Sequence, residues 1–142
     1  MRGCKQLLLL ALACLSFGYS EAASRWTVVD EDAHIVLSID EQTVVSNAES
    51  VIVEVLIVYK QPQTFEQPDG TTIPYTASAG PFFFECKGGK FGVGKRATLY
   101  QSTGATLKPV ATFVDESVPG KFLMQDTPPS PTFQKIARML CQ

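Results

Sequence analysis

The sequence predicts an α+β fold: an antiparallel meander sheet of about six strands, with one C-terminal helix packed on one face and tied to it by a disulfide. Three observations predict it. Apolar residues alternate with a period of two through most of the chain. Only the last stretch changes to helical spacing. Outside the N-terminal segment there are just two cysteines, Cys86 and Cys141.

The N-terminal segment is set apart first. Residues 7–13 are a run of Leu and Ala that follows Arg2 and Lys5, and small residues come after it. A basic start, a short apolar run and a small-residue cleavage site make a secretory signal peptide. The run falls well short of the roughly 20 apolar residues that a transmembrane helix needs. Ser20-Glu21-Ala22 places the cut after Ala22, giving a signal over residues 1–22 and a single domain over residues 23–142. A competing reading is lipidation at Cys14. Residues 11–14 (Ala-Leu-Ala-Cys) approximate a bacterial lipoprotein box, with Leu where a smaller residue is expected. Removing Arg2, Lys5 and Glu21 leaves ten bases against thirteen acids, a net charge of −3. That mildly acidic balance argues against a nucleic-acid partner.

The strands follow in order. Residues 25–30 are a short strand, and Asp30-Glu31-Asp32 is a polar break that reads as a hairpin turn. In residues 33–40, Ala33, Ile35, Leu37 and Ile39 fall on one face. Such alternation with β-branched residues is a half-buried strand. Residues 43–45 extend it. Residues 50–60 are the strongest strand, with Val51, Val53, Val55, Ile57 and Tyr59 on one face and Ile52, Leu56 and Val58 on the other. Apolar residues on both faces mark a central strand. Residues 61–80, punctuated by Pro62, Pro68-Asp69-Gly70, Pro74 and Gly80, read as a long loop. Residues 82–86 are a strand, Lys87-Gly88-Gly89-Lys90 a tight turn, and residues 91–100 one further strand. Residues 105–114 return after Ser102-Thr103-Gly104, and Pro109 places them at a sheet edge. Residues 121–125 are a last short strand.

Ser130 fits a helix N-cap and Pro131 the first helical position. Phe133, Ile136, Ala137, Leu140 and Cys141 then form one apolar stripe. Cys86 shares its strand face with Phe82 and Phe84. Two cysteines in an exported domain imply one disulfide. A Cys86–Cys141 bond would pin the helix to the sheet and, by chain entropy, stabilise the fold by about 4 kcal/mol.

Chemistry for catalysis is sparse. His34 is the one histidine, on the polar side of a strand, with no nucleophile elbow nearby. Gly92-Val93-Gly94 lies inside a strand and lacks the third Gly of a nucleotide motif. The acidic turns at 30–32 and 40–41 follow no calcium-loop pattern and read as solvated. No enzyme, cofactor or metal site is expected. Charge is asymmetric: Lys87, Lys90, Lys95, Arg96 and Lys108 lie in a stretch without acids, while residues 30–54 hold seven acids and no base. The bases are candidates for an anionic partner, although Lys95 and Arg96 point to opposite faces and Lys also serves simply to guard strand edges. Phe65, Ile73 and Tyr75 have two readings. They anchor a protein partner, or they fold back to cap the sheet.

The ordered set of features resembles the surface-adhesin protein E family of Gram-negative bacteria. Trp26 opens the first strand. Ile39-Asp40 with Thr43-Val44, residues 55–60, and Phe84-Glu85-Cys86 come next. Leu99-Tyr100, Gly104 and the segment from Pro129-Ser130 to Met139-Leu140-Cys141 complete it. Phe122 stands where Trp is usual. The resemblance implies a six-stranded sheet tied to the helix by the disulfide, and members that bind host proteins such as vitronectin, laminin and plasminogen. The expected function is an exported non-enzymatic binding module for extracellular or envelope proteins, in the periplasm or at the outer-membrane surface. A structural or assembly factor without a host ligand is the alternative, and a homodimer stays open.

Overall fold

The computed structural model describes residues 25–104 and 106–141. The candidate signal segment and Cys14 lie outside the described residues. No helix among the described residues is long and apolar enough to cross a membrane.

The chain runs β1 (Thr27–Glu31), β2 (Ile35–Ser46), β3 (Ser50–Glu66), β4 (Thr72–Glu85), β5 (Phe91–Gly94), β6 (Arg96–Thr103), β7 (Thr106–Val114), β8 (Phe122–Gln125) and α1 (Pro131–Leu140). All the pairings are antiparallel. The sheet order is β1-β2-β3-β4-β5-β8, and β6 pairs with both β4 and β7. The expected antiparallel sheet and C-terminal helix are present, but the described residues form eight strands rather than about six.

The difference has a local cause. Residues 91–100, expected as one strand, break at Lys95. On one side of the break, β5 pairs with Phe82, Phe83 and Phe84 of β4. On the other, β6 pairs with Ala77, Ser78 and Ala79. Gly80 and Pro81 lie opposite the break, where backbones crowd. A Cβ on Gly80 would come within 2.6 Å of the Arg96 carbonyl, and one on Gly94 within 2.5 Å of Pro81 Cγ. The amide of Lys95 donates to the Lys121 carbonyl at 3.2 Å, and its own carbonyl accepts from the Asp115 amide at 2.8 Å. The flanks of β8 and β7 thus satisfy the backbone of the break. β5 and β6 are two pieces of one lane beside β4, and β7 and β8 are two pieces of the next.

The second correction concerns residues 61–80. They are not a loop. β3 and β4 continue as a long hairpin, with Gln63, Thr64, Phe65 and Glu66 opposite Tyr75, Pro74, Ile73 and Thr72. The prolines fit because of where they fall. Pro62 sits in the register shift between Val58 and Gln63, and a bulge needs no ladder donor there. Pro74 lies beyond the part of β4 that β6 pairs. The turn chemistry is confined to residues 67–71. Gln67 N–H donates to the Thr71 carbonyl at 2.8 Å, and Gly70 takes a φ of 84°, which only glycine adopts without strain.

The core lies under α1. Leu37, Ile39, Val53, Val55, Phe82, Phe84 and Ile136 form one buried cluster, with Phe133, Ala137 and Leu140 packed on it. This is the strand face and the helix stripe expected from the alternation. Ile136 is fully buried, and Phe133 stacks on Phe82 with ring centroids 5.4 Å apart. Lys135 pairs with Asp30 at 2.8 Å. The Cys86–Cys141 disulfide is formed, its Cα atoms 5.5 Å apart. Ser130 occupies the N-cap position, yet its side chain makes no cap bond; the Gln134 amide donates to its carbonyl instead.

Among the described residues, no helix lies on the opposite face. Leu56, Ala77 and Ala79 are buried there by Trp26, Val58, Tyr100 and Leu107. The sheet covers that face with its own side chains.

Candidate functional site

The expected basic residues do not form one surface. Lys87 and Lys90 are exposed on the β4–β5 turn, at the disulfide end of the sheet. Lys108 is exposed on β7, opposite Gln101 near the far end of β6. Between these ends Lys95 reaches Glu116 at 3.9 Å, and Arg96 pairs with Glu54 at 3.0 Å. Two of the five bases are therefore neutralised locally.

The acidic turns are occupied too. Asp32 Oδ1 accepts from the amides of His34 and Ile35 at 2.7 and 3.0 Å, which hold its carboxyl below the usual carboxylate range. Lys135 does the same for Asp30. His34 is exposed. No group of three or more metal-type ligands converges among the described residues.

The aromatic residues are more informative. Tyr75 meets the ring of Tyr59 edge-on at 5.7 Å, and burial pushes its hydroxyl above the usual tyrosine range. It packs back on the sheet. Phe65 stacks on Phe113 of β7, with centroids 4.9 Å apart and planes 12° from parallel. For a residue of β3 to reach β7, the end of the β3–β4 hairpin must bend across β6. That bend, driven by the twist of a two-stranded ribbon, creates a groove.

The groove has a volume of about 650 Å³. One wall is the hairpin end, with Phe65, Gln67, Pro68 and Asp69. The other is the C-terminal half of β7, from Ala111 to Val114, with Asp115 just after it. The size suits a side chain or a short peptide segment. Its lining holds two carboxylates and no base. Each carboxylate is fixed by its own turn. Asp69 Oδ1 accepts from the amide and hydroxyl of Thr71 at 2.9 and 2.6 Å. Asp115 Oδ1 accepts from the amide and hydroxyl of Ser117 at 3.0 and 2.5 Å. These bonds hold both carboxyls below the usual range, with Lys95 adding to the effect at Asp115. Both are thus ionised at neutral pH.

Of the expected partner-binding residues, only Phe65 lies in this groove. Phe113, Asp69 and Asp115 were not among the candidates. Phe113 is visible in the sequence as the aromatic member of an alternating edge strand, and Asp69 as part of a Pro-Asp-Gly turn. Their meeting is not visible, because it depends on the hairpin that the prolines disguised.

No curated protein matches the chain. A family model described as surface-adhesin protein E matches residues 26–142, nearly the whole chain. That match begins at Trp26, covers every strand and the helix, and includes both cysteines of the disulfide. The chain belongs to the surface-adhesin protein E family.

Proposed function

We propose that the chain is an exported, non-enzymatic module that binds extracellular or envelope proteins, and that its partner surface is the groove between the hairpin end and β7. Family membership supports an adhesin-like role. The observation that carries the surface is the stacked Phe65–Phe113 pair in an open groove at the rim of the sheet. Half-buried aromatics beside exposed polar groups are the usual anchors of protein interfaces.

Two measurements test this. The oxidised chain without its signal segment is immobilised, and binding of purified extracellular-matrix proteins is followed by interferometry. Saturable binding that Phe65→Ala weakens more than Lys108→Ala is the expected result. Binding indifferent to Phe65→Ala overturns the surface assignment. In parallel, protease is added to intact cells. Digestion of the chain is expected; complete protection refutes surface display and favours a periplasmic structural or assembly role.

A further inference from the structure

The groove lies along a free strand edge. Among the described residues, β7 pairs with β6 and with no other strand. Its outer backbone groups are therefore open to a further strand. The two halves of β7 differ. Its first half carries Lys108 and Pro109, residues that discourage edge pairing. Its second half, Val110-Ala111-Thr112-Phe113-Val114, has no charge and no proline. It is rich in residues that favour strands, and it is this half that lines the groove. β8, beyond it, is only four residues long. The other outer strand, β1, carries Asp30 and Glu31, which are engaged by Lys135 and Lys60.

The charge of the groove selects among peptides. Asp69 and Asp115 each commit Oδ1 to a turn, and Oδ2 of each has no partner among the described residues. Lys95, the base that acts on Asp115, already has Glu116 as a partner. Phe113 and Phe65 present ring surface, on which a guanidinium or ammonium group is favoured.

We propose that the second half of β7 captures an extended basic segment of a partner protein by strand addition, its backbone pairing with residues 110–114 and an arginine or lysine side chain engaging Phe113, Asp69 and Asp115. This rests on the protein-binding reading above and specifies its partner chemistry. Main-chain pairing supplies affinity and the carboxylates supply selectivity.

The test uses a defined probe, the peptide acetyl-Thr-Val-Arg-Val-Arg-Thr-amide. Its control replaces both arginines by citrulline, which keeps the shape and removes the charge. Each is titrated into the isotope-labelled oxidised chain and followed by amide NMR. The arginine peptide is expected to shift residues 65–69 and 110–115 and to slow amide exchange in 110–114. The citrulline peptide should bind at least fivefold more weakly. Asp69→Asn/Asp115→Asn should weaken binding about tenfold, the size of two exposed charge pairs. Asn keeps the Oδ1 acceptor of each turn, so an unchanged melting temperature shows that the fold is intact. Equal affinity for the two peptides, shifts confined to the Lys87–Lys90 turn, or no binding overturns the inference. A chain that binds matrix proteins through Phe65 and ignores both peptides fails here while the broader reading stands.

Discussion

The disulfide is the covalent link between α1 and the sheet, and its removal has a calculable effect. Cys86 and Cys141 are 55 residues apart in sequence. Closing a loop of that length in the unfolded chain removes entropy worth about 4 kcal/mol at 25 °C. The native state should lose little when the bond goes, because other contacts also hold α1: Ile136 is buried, Phe133 stacks on Phe82 and Lys135 pairs with Asp30. The effect therefore acts on the unfolded ensemble. The perturbation is Cys86→Ser/Cys141→Ser, which leaves no odd thiol behind. At roughly 4 °C per kcal/mol for a domain of this size, the melting temperature should fall by about 15 °C. Calorimetry on the oxidised and double-variant chains measures it, and hydrogen exchange should quicken at residues 137–141. Melting temperatures within two degrees of each other would refute the entropic argument, because the loop length alone sets the expected difference.

Four further outcomes are expected. Ile136→Ala empties the most buried position of the helix and should cost about 2–5 kcal/mol in urea unfolding; a loss below 1 kcal/mol means that α1 is not docked as described. Gly94→Ala drives a Cβ into Pro81 and should cost about 1–3 kcal/mol, whereas Gly104→Ala meets no neighbouring atom and strains only its own turn, at a φ of 64°, so the local amide exchange of β5 and β8 should stay unchanged. Asp30 and Asp32 are held below the usual carboxylate range by Lys135 and by the amides of His34 and Ile35. Their folded pKa values lie below their unfolded ones, so they stabilise fully above about pH 4 and lose that contribution as the pH falls through the folded values. Asp30→Asn and Asp32→Asn should flatten the acid side of the stability profile, and an unaltered slope contradicts the assignment. Glu54→Leu/Arg96→Leu joins two apolar areas of the helix-free face and should produce concentration-dependent self-association in sedimentation; a strictly monomeric variant argues against the separating role of that pair.

Much of the fold was legible because burial imposes its period on the sequence. Leu37, Ile39, Val53 and Val55 alternate because α1 covers only one side of β2 and β3. The stripe of Phe133, Ile136, Ala137 and Leu140 is the matching surface. The hairpin end was hidden because proline is read locally as a breaker. Its cost depends on whether a ladder donor is needed, and the bulge at Pro62 and the end of β6 pairing short of Pro74 are tertiary facts. The break at Lys95 was hidden for a similar reason. Its signals, Gly94 in one strand and Gly80-Pro81 in another, are far apart in sequence and acquire meaning only in register. The groove inherits this opacity, since Phe65 and Phe113 lie on strands that are not neighbours.

The chemistry of the helix-free face bears on the proposal that a partner binds at the rim instead. Asp40 of β2 lies opposite Glu54 of β3. Two carboxylates in direct register repel. Here each has its own cation: Arg25 meets Asp40 at 2.5 Å, and Arg96 meets Glu54 at 3.0 Å. Arg25 also lies 5.0 Å from the Trp26 ring centroid, and its bond to Asp40 raises its pKa further. Asp40 is only 3% exposed, so removing Arg25 would leave a buried carboxylate short of a partner, an expensive state. The four residues make a charged stripe across the middle of the face. On one side lie Leu56, Ala77 and Ala79 under Trp26 and Tyr100. On the other lie Ile52, Phe83, Phe122 and Met124, the last 46% exposed. A partner laid flat over the sheet would have to desolvate the stripe without offering it better bonds. At the edge of β7 a basic segment would desolvate Asp69 and Asp115 but also give them the cation that they lack. The backbone there is already unpaired, the aromatic rings are already partly dry, and the free carboxylate oxygens face solvent in search of a cation.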